Sequence, residues 1–198
     1  MMTGIETSLR ELINCYQKVP INQELFTKIV SLGTKVEFQA GELIVAAGDT
    51  ESRLYLLVKG LVRKFYLDSQ GNDLTHLFMQ EGRVFGTHNV VYGGQVMCNF
   101  EAVEPCETVC FDCKKVQELM VAEPALTWIY IGLLEETLRH KLMRETALIN
   151  QNATERYVEL KQMIPTIDQR VNHAHIASYV GITPVSLSRI RRTLREEV

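Results

Sequence analysis

Four arginines near the C-terminal end carry the clearest chemical signal. Arg189, Arg191, Arg192 and Arg195 fall within residues 181–195, a stretch with no Asp or Glu. A guanidinium is a permanent cation with a planar fork of donors, suited to phosphates and to guanine edges. If this stretch is helical, Val185, Ser188, Arg189 and Arg192 share one face at i, i+3, i+4 and i+7. Leu187, Ile190 and Leu194 share the other. Such a helix buries its apolar side and offers a basic side to a polyanion.

The residues just before it say how the helix would be held. Ile176, Ala177 and Val180 give a first short helix an apolar face. Gly181 marks a sharp turn where the backbone needs φ above zero. Thr183 is a good N-cap, and Pro184 suits the first helical position because its missing N–H costs nothing there. Together these features predict a helix-turn-helix whose second helix enters the major groove of double-stranded DNA. The plainer alternative is a solvated basic helix closing a small domain.

Other reactive groups point less clearly. Cys106, Cys110 and Cys113 stand at C-x3-C-x2-C, a spacing compatible with iron–sulfur ligation but equally with cysteines packed as small hydrophobes. Cys98 is a conceivable redox sensor, though nothing in the sequence lowers its pKa visibly. His173 and His175, two apart, do not share a helix face, which speaks against a metal pair. No P-loop, G-x-S-x-G or G-x-G-x-x-G pattern occurs, so no enzyme is expected.

The 198 residues are 46% hydrophobic and 23% charged, as in ordinary globular proteins. The net charge of −3 hides an asymmetry. From residue 150 onward there are seven Lys and Arg against five Asp and Glu, whereas the rest is acidic. The basic surplus coincides with the helix-turn-helix. The polar start resembles no signal peptide, and no apolar run approaches the roughly 20 residues that span a bilayer. A cytoplasmic protein with no membrane partner and reduced cysteines is expected.

Ahead of the motif, residues 7–32 read as two short amphipathic helices separated near Pro20, the second capped by Asn22. Residues 35–112 change to short apolar runs punctuated by glycines at 41, 48, 60, 71 and 82, which predicts an antiparallel sandwich or barrel. A helix over 114–122 follows, and Pro124 opens a long one to about Ile149. Leu126, Ile129, Leu133 and Thr137 form one stripe on it; Tyr130, Leu134, Leu138 and Leu142 form a second. Two stripes suit two partners: the barrel, and the same helix of a second copy. A single wide stripe facing one core is the alternative. Asn152 and Glu155 read as a capping box beyond a break at residues 150–154.

This order of parts resembles the Crp/Fnr family of bacterial transcription regulators. Phe38-Gln39-Ala40-Gly41-Glu42 with Gly48-Asp49, Leu54 to Gly60, Glu81-Gly82 and Phe85-Gly86 resemble the family's early barrel turns, its glycine-ended strand and the approach to its ligand loop. The resemblance implies an α+β fold: an N-terminal antiparallel β-barrel or jelly roll of the cyclic-nucleotide-binding type, a dimerisation helix, and an all-α helix-turn-helix domain. The expected domains are residues 1–122, 123–150 and 151–198. It also implies a homodimer on near-palindromic DNA, an unknown small effector in the barrel, and RNA polymerase as a further partner.

Three departures bear on function. Cyclic-AMP-binding members carry Gly-Glu in the ligand loop and, ten residues after the Glu, an Arg followed by Ser or Thr. Here the corresponding residues are Gly86, Thr87, His88 and, later, Met97 and Cys98. Met97 cannot pair with a phosphate, so cyclic AMP is not expected to bind. Thr87 still hydrogen-bonds, and His88 offers a cation. At the recognition helix, the family's polar base readers are replaced by Pro184 and Val185, while Arg189 matches a retained arginine that reads guanine. Val185 suits a thymine methyl, and Thr183, Ser186, Arg191 and Arg192 suit phosphates. Third, no wing hairpin follows the recognition helix.

The reading is therefore an effector-controlled, dimeric DNA-binding regulator with no cofactor. Two alternatives stay open: a ligand-binding or interaction module whose helix-turn-helix has given up DNA, and a cysteine-based redox switch.

Overall fold

The structure is a computed structural model and describes residues 4–86 and 94–196. The chain divides into two compact units. One comprises Met1–Lys64 and Phe78–Leu138; the other comprises Phe65–Leu77 and Arg139–Val198.

The first unit opens with α1 (Gly4–Tyr16) and α2 (Gln23–Leu32). Asn22 caps α2 by accepting from the Leu25 N–H at 2.8 Å. Among the described residues eight strands follow: β1 (Thr34–Phe38), β2 (Leu43–Val45), β3 (Arg53–Lys59), β4 (Val62–Leu67), β5 (Asp73–Met79), β6 (Val84–Gly86), β7 (Asn99–Ala102) and β8 (Cys106–Asp112). They form two four-stranded antiparallel sheets, in the orders β1-β8-β3-β6 and β2-β7-β4-β5. The expected barrel is thus a two-sheet jelly roll. The Phe85 and Phe100 rings, one from each sheet, meet at 5.4 Å and show the sheets face to face.

One sheet is covered on both sides, which explains its sequence. Leu54, Leu56 and Val58 of β3 join a core with Leu9, Ile13, Leu25, Phe26, Val109, Phe111, Leu126 and Ile129. Tyr55 and Leu57 point the other way, toward the facing sheet. A strand buried on both faces reads as a continuous apolar run rather than an alternation. That is why residues 54–58 show no period of two.

β8 runs directly into α3 (Cys113–Ala122), whose N-cap Asp112 accepts from the Lys114 and Lys115 N–H groups. Next comes α4 (Ala125–Asn150), 26 residues long. Leu126 and Ile129 belong to the core, with Leu133 partly buried against it. Ile131, Leu134, Leu138 and Leu142 are exposed along the helix. Leu126, Ile129 and Leu133 of the first expected stripe therefore pack on the sandwich, whereas its Thr137 is exposed; of the second stripe Leu134, Leu138 and Leu142 are open and Tyr130 is half-buried.

The second unit holds the last part of α4, then α5 (Ala153–Met163), α6 (Ile167–Arg170), α7 (His173–Val180) and α8 (Pro184–Glu196). The capping box at α5 is complete: the Glu155 N–H donates to Asn152 Oδ1, and the Asn152 N–H donates to Glu155 Oε2. The short α6 is a helix that the sequence pattern did not announce. Tyr157, Leu160, Ile167, Ile176, Ala177, Val180 and Leu187 are fully enclosed. The tip of the β4–β5 hairpin belongs to this unit, joined to α7 by Thr75 N–H donating to Ser178 Oγ at 2.9 Å.

Candidate DNA interface and effector site

α7 and α8 are joined by the predicted turn. Gly181 sits in the left-handed region at φ 81°, and its N–H reaches the Ala177 and Ser178 carbonyls. The Ile182 N–H also bonds to the Ala177 carbonyl, at 3.0 Å. This end closes α7 within two residues and needs a residue without a Cβ. Thr183 then caps α8, its Oγ1 accepting from the Ser186 N–H at 3.2 Å, and Pro184 is the first helical residue.

α8 separates its faces as the spacing requires. Leu187 is buried, and Ile190 and Leu194 are partly so. Thr183, Val185, Ser188, Arg189, Arg192 and Arg195 are exposed, Val185 at 63%. Ser188 returns its hydroxyl to the Pro184 carbonyl at 3.0 Å, and Ser186 bonds the Thr183 hydroxyl at 3.0 Å. The outward face therefore offers a branched apolar side chain followed by guanidinium groups.

Arg191 departs from expectation. Its side chain is 14% exposed and lies 3.4 Å from Asp168 of α6. It also donates to the His173 ring, while the Tyr157 hydroxyl donates to the same Asp168 at 2.6 Å. Arg191 ties α5, α6, α7 and α8 together and is turned away from the outward face. The spacing contains this: Arg191 is four residues after Leu187 and three before Leu194, on the buried side.

Two further arginines serve the unit without having been foreseen. Arg144 of α4 donates to the Tyr179 carbonyl and stacks over the Tyr179 ring at 4.2 Å. Arg156 of α5 donates through Nε to the Val180 carbonyl at 2.8 Å and through Nη1 to the Gln151 carbonyl. Cations on the last carbonyls of a helix satisfy orphan acceptors and match the negative end of its dipole. Burial pulls the Arg144 guanidinium below its ordinary value. Through these contacts α4 and α5 hold the first helix of the helix-turn-helix.

In the first unit, the expected effector residues divide. Thr87 and His88 lie outside the described residues. Gly86 ends β6 opposite Leu54 at φ 122°, where a Cβ would stand 2.3 Å from the Arg53 carbonyl oxygen. Only glycine lets the chain leave β6 so close to β3. Cys98 is 2% exposed, whereas Met97 is 82% exposed. Met97 is thus turned out to solvent, and Cys98 alone of that pair is internal. Burial pushes the Cys98 thiol up, partly offset by the Lys64 ammonium.

Between the sheets, Tyr55 stacks on Phe85 at 5.4 Å, and Phe85 meets Phe100. Lys64 stands over Phe100. Sequence reasoning passed over Lys64, although its place two residues after Val62 on β4 puts both on one face. The C-x3-C-x2-C group is structural in character. Cys106 and Cys113 are buried and Cys110 half-buried. The Cys106 thiol donates to the Glu104 carbonyl at 3.2 Å, and no metal-holding group occurs among the described residues. Nor, among them, is any helix long and apolar enough to cross a membrane.

The geometry has counterparts among known proteins. Residues 35–123 match the cyclic nucleotide-binding domain. Over 174 residues the chain is 29% identical to the global nitrogen regulator of Synechococcus elongatus, covering 81% of this chain and 78% of that protein. It is 20% identical over 172 residues to the cAMP-activated global transcriptional regulator CRP of Pasteurella multocida, covering 81% and 82%. In fold it is similar to FixK2 from Bradyrhizobium japonicum, with a TM-score of 0.72 over 83% of this chain and 85% of that one at 19% identity. The chain carries a cyclic nucleotide-binding domain and is a homologue of the Crp/Fnr-type transcription regulators.

Proposed function

We propose that the chain is a sequence-specific DNA-binding transcription regulator, acting as a two-fold dimer under the control of a small effector other than cyclic AMP. The observation that carries the reading is α8. Its apolar face is buried while Val185, Ser188, Arg189 and Arg192 stand outward together. In the proposed complex each protomer lays α8 into one half of a near-palindrome. Arg189 reads a guanine as a bidentate donor, and Val185 rests on a thymine methyl. Thr183, Ser188 and Arg192 hold phosphates and fix the register.

The exposed stripe Ile131, Leu134, Leu138 and Leu142 supports pairing of two copies along α4. The match to the cyclic nucleotide-binding domain supports an effector within the sandwich, near Gly86 and Cys98. Exposed Met97 stands where cyclic-AMP binders place the phosphate-pairing arginine, and a thioether forms no ion pair. Effector and DNA communicate through α4, whose Arg144 holds the end of α7.

Selection of random duplexes by the purified protein tests the reading. A near-palindrome with half-sites about one helical turn apart is expected, and it disappears in Arg189→Ala. No enrichment at low salt, with or without cell extract, would overturn the DNA assignment. Micromolar binding of cyclic AMP by calorimetry would overturn the effector assignment.

A further inference from the structure

The second unit contains a cavity of about 40 Å³, and all of its lining residues belong to that unit. Met143 and Ala147 of α4 and Met163 of α5 give it apolar walls. Arg144 of α4 and Arg156 and Glu159 of α5 give it charge. Met143 and Met163 are about half exposed, so a ligand can enter past flexible thioether chains.

The charges of this cavity do not balance. Arg144 and Arg156 hold successive carbonyls at the end of α7, those of Tyr179 and Val180. Against the two guanidiniums stands Glu159, whose Oε2 accepts from Gln151 Nε2 at 2.8 Å. Two permanent cations facing one carboxylate leave a positive charge over. The donors do not balance either. Arg144 gives Nη2 to the Tyr179 carbonyl, while its Nε is buried and meets no acceptor. Buried donors in folded proteins are nearly always satisfied, and a buried cation needs an acceptor all the more. Burial disfavours the charged form of Arg144, as this imbalance requires.

Size and shape narrow the occupant. A cavity of this volume holds about three waters, or one molecule of about four or five non-hydrogen atoms. A guanidinium has donors only, and its planar fork matches a carboxylate. The methionine and alanine walls offer nothing to polar atoms on the other side. Water and inorganic phosphate carry polar atoms all round and leave some of them unmet there. We propose that the cavity binds a short-chain monocarboxylate, its carboxylate held by Arg144 and Arg156 and its alkyl group resting on Met143, Ala147 and Met163. Gly86 and Cys98 belong to the first unit, so this is a second small-molecule site, and it depends on neither the effector reading nor the DNA reading. A bound carboxylate fixes the two guanidiniums that hold the end of α7, just before the turn at Gly181.

The test uses the full chain with carbon-13 in its methionine methyl groups. Acetate, propionate, neutral propionamide and inorganic phosphate are titrated at constant ionic strength and followed by NMR. The carboxylates are expected to bind at about millimolar concentration, the scale for so small a ligand. They shift the methyls of Met143 and Met163 and leave those of Met97 and Met120, in the first unit, where they were. Propionamide binds about tenfold more weakly than propionate, the scale of one charge-assisted hydrogen bond. Arg144→Met removes that difference, whereas general damage to the site would weaken both probes alike. Ala147→Leu fills the cavity, keeps both guanidiniums and abolishes the shifts without lowering the melting temperature. Equal binding of propionamide and propionate by the wild type overturns the proposal. Tighter binding of phosphate overturns it in favour of an inorganic anion. Carboxylate binding that survives Ala147→Leu, or that shifts Met97 or Met120 instead, places the ligand elsewhere and overturns it. No shift with any probe well above millimolar concentration leaves the cavity to water and overturns it too.

Discussion

The ring of Tyr16 lies against Gly132. A Cβ on Gly132 would stand 2.6 Å from Tyr16 Cδ1 and 3.0 Å from its Cβ and Cγ. One turn further along α4, Glu136 accepts from the Tyr16 hydroxyl and from Arg83 in the β5–β6 turn. Helix α1, a turn two residues before Phe85, and the long helix therefore meet at one point of the first unit. Arg83 of that turn stands three residues before Gly86, and its contact with Glu136 ties the turn to α4.

Gly132→Ala tests how closely α1 is seated. Alanine favours a helix over glycine by about 1 kcal/mol, but overpacking a close contact costs about 1–3 kcal/mol. The contacted atoms are at the root of the Tyr16 side chain, which has little room to yield. A net loss is expected, lowering the melting temperature by a few degrees. In Tyr16→Ala the same substitution should become neutral or favourable. A double-mutant cycle in calorimetric melts reads the coupling directly, and additive effects would show that the contact is loose.

The arginines of α8 should separate by role. Arg189→Ala should cost about 1–3 kcal/mol of specific binding and relax preference at one base position. Arg192→Ala should weaken all duplexes alike and reduce the salt slope by about 1. Arg191→Met should act chiefly on folding, because it leaves Asp168 partly buried without its guanidinium. Binding isotherms at several salt concentrations, set beside melting curves, check all three. A full loss of binding by Arg191→Met with unchanged stability would place it on the DNA after all.

What the sequence made legible follows the range of the forces involved. Caps and turns are local, so Asn22, Gly181, Thr183 and the Asn152–Glu155 box stand in the structure where residue chemistry put them. Strand pairing is not local. β1 pairs with β8, 106 to 112 in the chain, and no short pattern announces it. The directions of Arg191 and Lys64 were hidden for another reason. A basic residue reads as solvent-facing until its neighbours at i±3, i±4 or i±2 are counted. Nor could the link from the β4–β5 tip to Ser178, 103 residues away, be read from composition or period.

The open stripe of α4 predicts the oligomeric state. Leu138→Arg and Leu142→Arg place charges where a two-stranded seam would close. Sedimentation should show the wild type as a dimer at micromolar concentration and each variant shifted toward monomer. Palindrome binding should fall with it, because half-site affinities no longer combine. A wild type that sediments as a monomer would remove the two-fold reading.

The buried thiols predict both a reactivity order and a pH dependence. Burial pushes Cys98, Cys106 and Cys113 up from the ordinary 9.0, Cys113 to about 12. Cys15 is exposed. Alkylation near neutral pH should therefore mark Cys15 first, and Cys113 should stay protected into strongly alkaline solution. In the unfolded chain each thiol ionises near 9, while in the fold Cys113 keeps its proton. The unfolded state then binds fewer protons, so stability is whole below pH 9 and falls as pH rises from there toward 12. Cys113→Ala should flatten that fall, measured by denaturant titration at a series of pH values. The same burial argues against a fast redox switch. Peroxide at concentrations that modify Cys15 should leave duplex binding unchanged, and a loss of binding that tracks oxidation of Cys98 would restore the redox alternative.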